Sequence, residues 1–255
     1  MHSGCRILEQ YIEDAPLSLF PTVNYTERPE VAASRILEGR VAIMIDGTPV
    51  VNTVPMIFFE SFQTADDYNF RWLRFLAFMI TILLPALYVA LTTFHQEMIP
   101  TSLLISMAAA EEGIPFPAAF EVIIMDIIFE ILREAGIRLP RPVGSAVSIV
   151  GALVLGDASV NAGIVGAPVV IVIALTAIAS FMVPFQVESV TLIRLGLVFL
   201  AGFFGLYGIL YGLLLILIHL ASLRSFGVPY LTPLAPWGLT DLKDTVVRAP
   251  LCGCY

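Results

Sequence analysis

Charge is what this sequence has least of. Only 13% of its 255 residues are Asp, Glu, Lys or Arg, where a soluble domain carries roughly 25%. The deficit begins after residue 74, as it does in chains that meet lipid. Cysteine is as scarce: Cys5, Cys252 and Cys254 sit at the two ends, with no zinc-ligand spacing and no paired disulfide framework. No role is assigned to them. No basic cluster marks a nucleic-acid partner. Phosphate loops, nucleophile elbows and metal-binding His pairs are missing too, which argues against an enzyme, and no cofactor or metal is expected. The segment from Met1 to Phe20 has no central apolar run and contains Glu9, Glu13 and Asp14, so it does not read as a signal peptide. No internal repeat is visible.

What is present is apolar. Hydrophobic residues make up 58% of the chain, and the mean hydropathy is +0.90. The pattern predicts a polytopic α-helical membrane protein with about four or five transmembrane helices and an amphipathic acidic helix. The remnant of a soluble α/β domain precedes them. Residues 1–72 form that soluble part, 73–223 the membrane domain and 224–255 a soluble tail. Four spans are expected at 75–94, 143–157, 160–183 and 195–218, each judged against a ~30 Å hydrocarbon core. The stretch 99–110 is a candidate fifth. Arg71, Trp72 and Arg74 sit at the mouth of the first span, as interface anchors do, and Pro85 inside it is expected to kink it. Basic residues outside the first and last spans place both ends in the cytoplasm, although Arg133, Arg138 and Arg141 oppose this. In the soluble part, Pro29 opens a helix running to about Glu38, and Gly39 stops it. Val41 to Ile45 reads as a strand, Asp46-Gly47 as a tight turn, and Val50-Val51 as the start of a returning strand.

Three constellations are candidates for function. Gly156-Asp157-Ala158-Ser159-Val160-Asn161 puts a carboxylate and an amide between two apolar segments. Asp157 there is either part of an ion path or a helix cap in a surface turn. On the 118–137 helix, Asp126, Glu130, Arg133 and Glu134 share one face, opposite Ile123, Ile124, Ile127, Ile128, Ile131 and Leu132. The acids line a cation pathway when copies form a ring, or they face water and headgroups from an interfacial helix. Gly205, Gly208 and Gly212 read as a helix-packing stripe. His95 and His219 end spans as interface residues, and Glu188 is placed to pair with Arg194.

Several stretches resemble the A subunit of bacterial spore germinant receptors, the GerA-type spore germination proteins. They are Thr26-Glu-Arg-Pro-Glu-Val-Ala-Ala33, Leu37-Glu-Gly-Arg-Val-Ala-Ile43, Asp46-Gly-Thr-Pro49, Phe62-Gln with Asp67-Tyr68, and Phe94-His-Gln-Glu-Met-Ile-Pro100. Further along come Leu139-Pro-Arg-Pro-Val-Gly144, Val150-Gly-Ala-Leu-Val-Leu-Gly-Asp157, Ala162-Gly-Ile-Val165 and Leu175-Thr-Ala-Ile-Ala-Ser180. Ser225-Phe-Gly-Val-Pro-Tyr230 and Asp241-Leu-Lys-Asp244 complete the set. The resemblance implies a multi-pass subunit in the spore inner membrane, the bacterial cytoplasmic membrane. It implies homo-oligomers that work with B- and C-type receptor subunits as a germinant-gated ion channel triggering germination. An accessory subunit of the dipicolinic acid release machinery is the related alternative, and a carrier-type transporter the more distant one. The resemblance further implies an N-terminal soluble domain, most of which this chain lacks.

Overall fold

In the computed structural model, the described residues are 11–13, 18–62, 71–139, 144, 151, 156–232 and 234. Most of the expected span at 143–157, the three cysteines and the end of the tail lie outside them. The chain divides into two compact units: residues 1–76 with 214–255, and residues 77–213.

The first unit holds a helix against a small antiparallel sheet. Helix α1 is Pro29–Leu37 with Pro in its first turn, and Gly39 follows at φ +86°, a conformation glycine takes without cost. Strands β1 (Asn24–Thr26), β2 (Val41–Met44) and β3 (Val51–Val54) lie in the order β1-β3-β2. The β2–β3 hairpin pairs Val41 with Val54 and Met44 with Val51. Its turn has Gly47 at φ +82°, where the Asp-Gly pair predicts it. Strand β1, paired through Asn24 and Thr53, was not expected, because three residues are too few to display alternation. A buried carboxylate ties these pieces together. Glu60 is 2% exposed and receives both Arg35 and Arg40, with the Asn24 amide donating at 3.3 Å. Burial, and then the neighbouring Arg40 charge, pulls Arg35 down to about 10. It stays charged at neutral pH, which a buried carboxylate beside it needs.

The second unit is helical. Helix α2 (Arg71–Thr93) enters it from the first unit and continues through Pro85. Helices α3 (Thr101–Glu111), α4 (Ala118–Arg138), α5 (Ala167–Ser180) and α6 (Val187–Phe204) follow. Helix α7 (Leu206–Ser222) leads back toward the first unit. α4 packs on α5 and α6, and α3 packs on α5. Among the described residues, two helices are long and apolar enough to cross a membrane, Arg71–Thr93 and Pro184–Phe204.

Two expectations change. The apolar run 195–218 is not one helix: α6 ends at Phe204, and Gly205, with φ +61° and ψ −139°, starts the chain on a new course. Hydropathy cannot see such a break, because both sides of it are equally apolar. The run 160–183 contains a helix of 14 residues, Ala167–Ser180, about 21 Å long at ~1.5 Å per residue. Gly163 at φ +65° and Pro168 hold its start back.

Candidate functional site

Helix α4 carries two of its acids inward. Glu121, Val122, Met125 and Asp126 are buried, while Phe120, Ile127, Ile131 and Ile137 are exposed, Ile131 by 63%. Buried acids and exposed large apolar side chains thus occur on the same helix.

The centre of this arrangement is an ion pair. Asp126 on α4 faces Arg194 on α6, with Oδ1 at 2.5 Å from Nη2 and Oδ2 accepting from Nε at 3.0 Å. The two side chains are 4% and 1% exposed. One charge-assisted hydrogen bond, from Nε to Oδ2, sets the direction of the contact, and the close approach of Nη2 to Oδ1 adds charge attraction. Pairing is also the only way such charges are tolerated here, because an unpaired one is far costlier to bury. The sequence set Arg194 beside Glu188; instead Arg194 reaches Asp126, 68 residues away. The overlooked signal is Arg194 itself. An arginine eight positions into an apolar helix needs a buried acid, and it falls just outside a span started at residue 195.

Outward from this pair, the other two acids of the face also meet arginines. Glu130 is bonded by Arg133 and receives a longer contact from the Thr191 hydroxyl, at 3.4 Å. Glu134 pairs with Arg138 at 2.6 Å where both are exposed. The face expected to be acidic is therefore a ladder of matched charges, running from buried at Asp126 to exposed at Glu134. Asp157 is exposed in a helical stretch at residues 156–161.

A second polar group lies where α2, α3, α4 and α5 come together. The Tyr88 hydroxyl donates to Glu111 at 2.8 Å. Glu121, 3% exposed, accepts the Gly166 N–H at 2.8 Å, at the start of α5. A carboxylate there satisfies a donor that the helix cannot use and sits at the positive end of its dipole. No group of three or more His, Cys, Asp or Glu is placed to hold a metal among the described residues.

The glycine stripe divides. Gly205 is the break itself, and Phe94 and His95 close over it: a Cβ there would lie 3.0 Å from the Phe94 Cβ. Gly208 and Gly212 lie on α7 and face α6. A Cβ on Gly208 would meet the Leu200 carbonyl oxygen at 2.2 Å, and one on Gly212 the Leu197 Cδ2 at 2.4 Å. Small residues let two helix backbones meet this closely, and here both helices belong to one chain.

Comparison with known proteins agrees along the whole chain. The family model described as Bacillus/Clostridium GerA spore germination protein matches residues 2–254. "Spore germination protein KA" of Bacillus subtilis is 52% identical over 95% of this chain and 46% of its own length. "Uncharacterized membrane protein YfkQ" of the same organism is 48% identical, over 95% and 49%. "Spore germination protein GerLA" of Bacillus cereus is 46% identical, over 95% and 51%. The chain thus spans about half the length of the curated relatives it matches. No solved structure matches it.

Proposed function

Because the chain belongs to the GerA family of spore germination proteins, we propose that it is the membrane portion of an A-type germinant receptor subunit. Copies of it oligomerise in the spore inner membrane, together with B- and C-type subunits, into a germinant-gated ion channel. The observation that carries this reading is the matched charge ladder inside an apolar helical unit. Hydrophobic helices need no buried arginine to stay in a membrane. A sequence that keeps one at the contact of α4 and α6 is specifying how those helices are set against each other. Setting and resetting packed helices is how gating transitions are built.

We count α4 among the spanning helices, with α2 and α6. Its 21 residues reach about 31 Å, and its isoleucines face outward. Within this arrangement Asp126 holds the bundle, and the exposed carboxylates Glu134 and Asp157 are the ones placed to meet a passing cation.

Spores lacking the gene, complemented with the full-length protein, provide the test. Asp126→Asn is expected to slow germination at equal protein level, whereas Asp157→Asn alters ion release without loss of assembly. Normal germination in spores lacking the protein, with every other receptor also removed, would refute the assignment.

A further inference from the structure

The residues after α7 fold into a short ribbon, Arg224–Ser225 against Val228–Pro229, with two dissimilar sides. The inner side is stitched into the first unit. Ser225 is 1% exposed; its Oγ accepts the Met56 N–H at 3.1 Å and donates to the Thr22 carbonyl at 2.8 Å. Tyr230 is fully buried; its hydroxyl donates to the Pro21 carbonyl at 2.9 Å, and its own carbonyl accepts from the Phe58 N–H at 2.9 Å. The outer side carries Arg224 and Phe226, both exposed. Phe226 occupies the tip at φ 51°, followed by Gly227 at φ 80°. Such tips favour Asn-Gly or Gly-Gly, and an aromatic residue rarely takes the first place. The fold holds a large ring outward in a backbone conformation that does not favour it.

The surroundings say what the exposed part of that ring meets. Just before the ribbon, α7 exposes Leu214, Leu215, Leu217 and Ile218. The start of α2 exposes Trp72, Phe75 and Leu76. Ring contacts connect these two helix ends: Phe75 to Phe62 at 5.7 Å, Phe62 to Phe58 at 5.3 Å, Phe58 to Phe20 at 6.1 Å, and Phe20 to His219 near the end of α7 at 6.2 Å. Trp72 in the first turn of α2, and Arg224 and Phe226 just after α7, are exposed beside these apolar helix ends in the chain. Aromatic rings with a basic residue at the end of a lipid-facing helix form the composition of a membrane interface.

We propose that the 224–229 ribbon is an interfacial anchor. The Phe226 ring lies at the boundary of headgroups and acyl chains, and the Arg224 guanidinium lies on lipid phosphate. The anchor fixes the depth at which the first unit rides on the bilayer. It rests on α7 being lipid-facing, as the proposed function requires.

The test places a nitroxide on a single cysteine in the full chain, with Cys5, Cys252 and Cys254 replaced by serine. The protein is reconstituted in phosphatidylcholine–phosphatidylglycerol vesicles. Accessibility to oxygen and to a water-soluble nickel complex gives the depth of the label. Leu217→Cys reports the lipid face of α7, and Asp46→Cys, in the exposed hairpin turn, reports water. The Phe226→Cys label is expected at a depth between these two, moving toward water when Arg224→Glu is added. A Phe226 label as open to nickel as the Asp46 label, with Leu217 still in lipid, overturns the anchor and leaves the membrane reading intact. A Phe226 label shielded from both reagents also overturns it, since protein then covers the ring. Aqueous labels at both Phe226 and Leu217 overturn the two readings together.

Discussion

At Asp126 and Arg194, removing one partner and removing both should differ in outcome. Either charge left alone between α4 and α6 has no water to turn to, and the cost of such a break is about 3–5 kcal/mol. Asp126→Ala or Arg194→Ala should therefore destabilise the detergent-solubilised protein by that order. Asp126→Leu combined with Arg194→Met should recover most of the loss, because apolar pairs of similar volume replace buried ion pairs well. Thermal unfolding monitored by size-exclusion fluorescence measures both, and equal losses for single and double variants would remove the pair from any positioning role. Glu60 makes the matching case in the first unit. Glu60→Gln leaves Arg35 and Arg40 converging on a neutral amide in a site 2% exposed, so a loss of about 3 kcal/mol or more is expected. Changes of pH around neutrality should not imitate it. With its folded-state pKa lowered to about 10, Arg35 carries its desolvation cost at every lower pH. That cost is relieved only as pH rises past that value.

Among the elements, α4 and the α6–α7 pair show what could be read from sequence and what could not. The helical spacing of Asp126, Glu130 and Glu134 was legible, and so was the opposite isoleucine face. Which face turns inward was not, because the same period serves an amphipathic helix in water and an inside-out helix in lipid. The ion pair was hidden for another reason: its partners are 68 residues apart, and periodicity carries no tertiary information. The hairpin of the first unit was legible because Asp46-Gly47 dictates its turn locally. The break at Gly205 was not, since only one residue makes it. The α6–α7 contact predicts an order of sensitivity. Gly208→Ala puts a methyl carbon 2.2 Å from a backbone oxygen, which cannot yield without moving a helix. Gly212→Ala puts one 2.4 Å from the end of the Leu197 side chain, which can change rotamer. Gly208→Ala should therefore lower the unfolding temperature of the solubilised protein clearly more than Gly212→Ala. The reverse order would mean that α7 does not fold back on α6 as described.

For the molecule as a whole, the charge ladder changes what an oligomer can be expected to conduct. The formal net charge is −8, yet along α4 each of Asp126, Glu130 and Glu134 has an arginine beside it. A ring of copies would not present three unopposed acidic tiers. It would present at most the outermost tier, where Glu134 and Arg138 are both exposed and the pair is weakened by water and salt. Cation preference should then depend on the balance of that one pair. In reconstituted oligomers, Arg138→Gln is expected to raise the permeability of cations over anions, and Glu134→Gln to lower it. Glu130→Gln should change assembly more than selectivity, because its partners Arg133 and Thr191 are structural. Asp157→Asn should act independently of the α4 variants, since that carboxylate is in none of the ladder's ion pairs. Reversal potentials under a salt gradient decide the matter. If Arg138→Gln and Glu134→Gln leave the potential of an intact oligomer unmoved, the α4 face lies away from the ion path. Its carboxylates then serve only to set α4 against α6.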